Sequence, residues 1–118
     1  MQLIQEHTRF IKETALSLGF THCGIAKAAP LDEDARRLEK WLHAGMHGSM
    51  HYLENHFDLR VDPTKLVPGA KSVITLTQNY YSSKKQPVDS PKISTNAYGT
   101  DYHLVIKEKL NKLLASIQ

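Results

Sequence analysis

Cysteine is nearly absent from this sequence: of 118 residues, only Cys23 carries a thiol. One thiol rules out an internal disulfide and fits a reducing cytoplasm. It also cannot hold an iron–sulfur cluster, which takes about four thiolates. Long apolar runs are missing as well, so no stretch reads as a membrane-spanning helix. The start, Met1-Gln2-Leu3-Ile4-Gln5-Glu6, has no secretory signal pattern. No glycine-rich phosphate loop occurs, and the Pro68-Gly69 turn ahead of a strand is a poor substitute, which leaves little support for a flavin-dependent reductase. There is no internal repeat and no domain boundary.

What is present is an ordinary globular composition in a chain long enough for one core. Residues 1–118 are therefore expected to form a single domain. The net charge of +3 is unevenly distributed. Residues 1–59 hold six basic and eight acidic side chains, whereas residues 60–118 hold nine basic and four acidic. A lysine-rich second half could face phosphates of a nucleic acid, or could be a solvated surface only.

Apolar periodicity places the elements. Leu3, Ile4, His7, Phe10, Ile11, Thr14, Ala15 and Leu18 mark a first amphipathic helix, stopped by Gly19. Thr21 to Lys27 reads as a short strand, with Cys23 as a small buried hydrophobe. Asp32-Glu33-Asp34 sets negative charge at the start of a second helix whose core face is Ala35, Leu38, Trp41 and Leu42, and Gly45 ends it. Ser49 is expected to cap a shorter helix carrying Met50, Leu53 and Phe57, and Arg60-Val61-Asp62-Pro63 closes that region. Lys71 to Asn79 is the clearest strand. Ser82 to Pro91 reads as a loose connection.

Histidines cluster in the middle. His43, His47 and His51 follow one another at the spacing of a helical metal pair. Two glycines inside the run argue against a continuous helix, and no carboxylate or cysteine completes a ligand set. The expectation is therefore no metal site, with these histidines on the surface or hydrogen-bonded.

The organising stretch is Ser94-Thr95-Asn96-Ala97-Tyr98-Gly99-Thr100-Asp101-Tyr102-His103, which opens a last helix. Gly99 suits a sharp turn, and Thr100 or Asp101 can cap the first helical turn. Tyr102, Ile106, Leu110, Leu113, Leu114 and Ile117 give the helix one buried face. Aromatic rings, a carboxylate and an imidazole gathered at a positive helix end suit an anionic or amide-bearing ligand. The alternative is a capped helix whose tyrosine and histidine simply pack. The helix is still apolar-periodic at Gln118, which suggests a fragment of something longer.

Three blocks of residues together resemble the amino-terminal region of epoxyqueuosine reductase, an enzyme of tRNA wobble-base modification. The first is Trp41-Leu42, Gly45, His47-Gly48, Met50 and Tyr52-Leu53. The second is Arg60, Asp62-Pro63, Leu66, Pro68-Gly69-Ala70 and Ser72-Val73. The third is Ser94, Ala97, Gly99, Asp101-Tyr102-His103 and Lys109-Leu110. The similarity covers this whole chain and about the first third of such an enzyme.

The resemblance implies an α+β fold, a small mixed or antiparallel sheet with flanking helices, like other B12-handling reductase domains. It implies an oxidoreductase that uses cobalamin and two four-iron clusters to reduce epoxyqueuosine to queuosine in tRNA. The catalytic aspartate and the cluster cysteines of that family lie beyond this chain, so no catalytic residue and no metal ligand is assigned here. Carried onto matching positions, Arg60, Ser94, Tyr98, Asp101, Tyr102 and His103 are the expected cobalamin-binding residues. For Arg60 an ion pair with Asp58 or Asp62 stands as the alternative, and for Asp101 a helix cap. The sequence departs from the family at Thr95-Asn96, where an arginine and an aromatic residue are usual. The resemblance further implies a cytoplasmic monomer without membrane attachment. The competing reading is a non-catalytic module that binds tRNA or another partner through the basic second half.

Overall fold

The computed structural model describes residues 1–118. Five α-helices, two strands and two 3-10 turns follow one another along the chain. They are α1 (Gln2–Ser17), β1 (His22–Lys27), α2 (Asp32–His43), α3 (Phe57–Arg60), α4 (Pro63–Leu66), β2 (Ser72–Thr77) and α5 (Tyr102–Ile117), with 3-10 turns at His51–Glu54 and Thr95–Ala97. This is the expected α+β class, with a sheet of two strands. Thr21 N–H donates to Thr77 O at 2.8 Å and Ala28 N–H to Lys71 O at 2.9 Å, so the pairing is antiparallel. No helix is long and apolar enough to cross a membrane.

The residues group into two compact units: Met1–Gly24 with Thr75–Gln118, and Ile25–Ile74. In the first, α1 packs on α5. Gly19, at φ +97°, turns the chain out of α1 in a conformation that other residues rarely adopt. That turn delivers Phe20 to the helix pair, where it is buried with Ala15 and Leu113. Cys23 packs beside this cluster with Leu18 and Leu76, as a small hydrophobe should. The core is narrower than the periodicity suggests. On α5 only Leu113 is buried, and Tyr102, Leu110, Leu114 and Ile117 stay more than two-fifths exposed. On α1, Leu3, Ile4 and Phe10 are likewise exposed, and Ala15 is the one buried residue of the helix.

In the second unit, α2 begins with its three acidic residues and ends at His43, with Ala44 as its cap before Gly45 at φ +68°. Arg37 pairs with both Glu33 and Asp34 along the helix surface. The shorter helix expected after Ser49 is not continuous. Met50 occupies the cap position without a side-chain bond, one 3-10 turn follows, and α3 begins after His56. His56 takes φ 58°, a left-handed conformation that interrupts any helical ladder. Nor does Asp62-Pro63 close the helical region: Asp62 caps α4, accepting from Thr64 N–H at 3.0 Å and Thr64 hydroxyl at 2.6 Å. Pro63 stands at the first helical position, where its missing N–H costs nothing. The Thr64 bonds hold the Asp62 carboxyl below the usual aspartate range.

Candidate functional site

β2 ends where the clearest cleft of the first unit begins. Gln78 to Tyr81 continue from the strand and form one wall. The 3-10 turn at Thr95–Ala97, then Tyr98-Gly99-Thr100 and the first turns of α5, form the other. The hollow between them is about 300 Å³. A second hollow of about 350 Å³ shares Gln78, Tyr80, Asn96, Tyr102 and Ile106 with it, and adds Phe20 and Leu76 as apolar floor. The combined lining is therefore mixed, with tyrosines, amides and Lys84 beside aliphatic and aromatic carbon. Such a lining suits a flat, largely apolar ligand with polar edges.

Local physics explains the far wall. Gly99, at φ +71°, supplies the turn into α5 and has open space around it. Asp101 caps the helix, as expected: its Oδ1 accepts from His103 N–H at 3.0 Å. The same oxygen accepts from the His103 ring at Nδ1, 2.8 Å away. These bonds from His103 hold the Asp101 carboxyl below its usual range. The His103 ring also stacks on Tyr102, with centroids 4.1 Å apart and planes 26° apart. The Asp101-bonded ring of His103 is thus stacked on a tyrosine that lines the cleft.

Of the expected cofactor-binding residues, Tyr98 and Tyr102 line the cleft. Asp101 and His103 stand beside it, in the cap just described. Ser94 precedes the 3-10 turn, where its backbone carbonyl accepts from Ala97 N–H at 2.9 Å. Arg60 belongs to the second unit. Its guanidinium donates to Asn55 O at 2.8 Å and Tyr52 O at 3.3 Å, which stitches the 3-10 turn to α3. It pairs with neither Asp58 nor Asp62. Thr95 and Asn96, where the sequence departs from the family pattern, both line the cleft.

The sequence reading missed Gln78, Asn79, Tyr80 and Tyr81. The available signal was two tyrosines directly after the strongest strand. The Gln78 amide is fixed at both ends, donating to Asn79 O at 3.1 Å and accepting from the Lys109 ammonium at 2.9 Å.

The family model described as "Epoxyqueuosine reductase QueG, DUF1730" matches residues 60–118, half of the chain. The chain belongs to the epoxyqueuosine reductase family. It is 49% identical to an epoxyqueuosine reductase of Cyclobacterium marinum over 120 residues, covering 100% of this chain and 39% of that protein. The corresponding enzyme of Cellulophaga algicola is 55% identical over 113 residues, 96% of this chain and 37% of the relative. That of Leadbetterella byssophila is 50% identical over 115 residues, 98% and 38%. The chain thus spans less than two-fifths of the length of these relatives. No solved structure matches it.

The residues of this family member fit the implied groups unequally. A corrin is larger than either hollow, and both lie at the low end of the roughly 300–1,000 Å³ typical of ligand pockets. The cleft suits one edge of such a ring, with Tyr98 and Tyr102 as flat walls and Gln78, Asn79 and Asn96 as amide partners. Iron–sulfur clusters do not fit, because Cys23 is the only thiol and it packs in the core.

Proposed function

We propose that this chain forms one wall of the cobalamin pocket in an epoxyqueuosine reductase, an oxidoreductase that converts epoxyqueuosine to queuosine in tRNA. The observation that carries the proposal is the cleft of tyrosines and amides at the start of α5, in a chain that belongs to this family. Cobalamin, when bound, supplies the redox chemistry of its cobalt. This chain's own residues bind and orient. Tyr98 and Tyr102 offer faces to the ring edge, and the fixed Gln78 amide presents an N–H to a side-chain carbonyl of the corrin. Asn79 and Asn96 extend the same amide pairing. Phe20, Leu76 and Ile106 add apolar surface to the second hollow for the carbon skeleton of the ring.

The iron–sulfur clusters and the catalytic acid would come from sequence outside these residues, in a cytoplasmic enzyme. Exposed Lys84, Lys85 and Lys92 suit phosphates of the tRNA. The test is a cobalamin titration of a protein carrying this chain within the length of its relatives. A shift of the corrin absorption bands that Tyr102→Ala weakens supports the reading. An unchanged spectrum at saturating protein overturns it.

A further inference from the structure

One side-chain cluster in the second unit belongs to none of the cleft walls. His47 lies in the loop between α2 and the 3-10 turn, held there by Gly45 at φ +68° and Gly48 at φ +59°. It is 5% exposed, which is rare for an imidazole. Its ring stands against Trp41, with centroids 5.7 Å apart, and against the edge of His51 at 6.1 Å. Its Nε2 lies 2.6 Å from Glu54 Oε1, and His51 Nδ1 lies 3.6 Å from the same oxygen. One ligand atom from each of the three residues lies within 4.8 Å of the others.

The 3-10 turn creates this convergence. His51 and Glu54 are three residues apart, and at about three residues per turn their side chains eclipse. Glu54 is thereby the carboxylate that completes the pair His47–His51, the second of the two pairs that spacing suggested, while His43 stays outside the cluster.

We propose that His47, His51 and Glu54 form a binding site for a divalent cation of the zinc class. Two imidazoles and a carboxylate are a donor set that suits zinc, with a fourth position left to water. Around tetrahedral zinc, with bonds of about 2.0–2.1 Å, neighbouring ligand atoms sit about 3.3 Å apart. The His47–Glu54 distance must open from 2.6 Å and the His51–Glu54 distance close slightly from 3.6 Å. Both movements fall on the mobile partners, since the His51 and Glu54 side chains are 78% and 52% exposed while buried His47 is the fixed anchor. The cation takes the place of the proton that His47 Nε2 otherwise donates to Glu54. Solvent reaches the cluster through the exposed side chains of His51 and Glu54. The His47 Nδ1 is buried without a partner. A metal-bound imidazole usually donates its second N–H to an acceptor. The site therefore lacks that support and should be of moderate affinity.

The experiment is Zn²⁺ titration of the full chain against a chromogenic chelator, with Co²⁺ absorption reporting the geometry. One Zn²⁺ per chain is expected, with a rise in thermal midpoint. His51→Ala, at an exposed ring with no structural bond of its own beyond this cluster, should weaken affinity by about tenfold or more. His43→Ala should leave it unchanged. Glu54→Gln should also weaken it, and circular dichroism of each variant separates a lost ligand from a lost fold. Failure to bind Zn²⁺ stoichiometrically overturns the proposal, as does binding that His51→Ala leaves intact. Either result would reduce the cluster to a histidine–carboxylate hydrogen bond.

Discussion

Lys109 reaches from the middle of α5 to the Gln78 amide, 2.9 Å away, while its ammonium stands 5.6 Å from the centroid of the Phe20 ring. One half-buried cation therefore braces the cleft wall and the core at once. Lys109→Met keeps the aliphatic stem and removes both contacts. The expected cost is about 2–3 kcal/mol, the sum of a charge-assisted hydrogen bond and a cation–π contact in a partly wet setting. Chemical denaturation of the two proteins measures it. A variant as stable as the parent would show that Gln78 is held by other means.

Gly24 sets a steric limit in the sheet. A Cβ there would lie 2.8 Å from Thr75 Oγ1. Gly24→Ala should destabilise by about 1–3 kcal/mol, as overpacking does. Thr75→Ala in the same chain should recover most of that loss, because it removes the opposing atom. A double-mutant cycle by urea denaturation reads the coupling.

Asp62 predicts an acid-sensitive helix start. Its folded-state pKa is lowered by the Thr64 bonds, so its contribution is fully present above the unfolded carboxyl value of about 3.9. That contribution disappears as the pH falls through the lower folded value. Thr64→Val should flatten the acid limb of a plot of urea midpoint against pH. An unaltered slope would remove Asp62 from the account of acid unfolding.

Arg60 offers a sharper division between two roles. Its guanidinium already holds the carbonyls of Tyr52 and Asn55. Arg60→Ala should cost about 1 kcal/mol through these bonds, with Lys recovering only part, because an ammonium lacks the planar fork. Thermal melts without any cofactor measure this. A variant that melts like the parent but binds cobalamin weakly would return the residue to ligand contact alone.

Much of the fold was readable because its signals are local. Apolar residues at three- and four-residue spacing located α1, α2 and α5, β-branched residues located β2, and Asp101 stood at its cap position. The misreadings share a cause in tertiary geometry. Periodicity marks an apolar stripe but not how much of it a neighbour covers, so Leu110, Leu114 and Ile117 were assigned to a buried face. The left-handed backbone at His56 broke a helix that Leu53 and Phe57 appeared to continue. Glu54 was overlooked because seven residues separate it from His47, and only a tight turn brings the two together. Tyr98 and Tyr102 stood out as aromatic rings gathered at a helix start, and the family likeness then turned that gathering into an expected ligand contact. The opposing wall, from Gln78 to Tyr81, carried too plain a signal to stand out from a strand end.

The sheet is a ribbon of two strands, each bonded along one side only. Its outer margins carry rows of backbone donors and acceptors that no third strand pairs. Another extended segment could dock there without disturbing anything inside, so concentrated solutions should show self-association that grows with protein concentration. A lysine placed at either end of β2, at Ser72 or Thr77 for instance, would be the simplest way to keep such material dispersed.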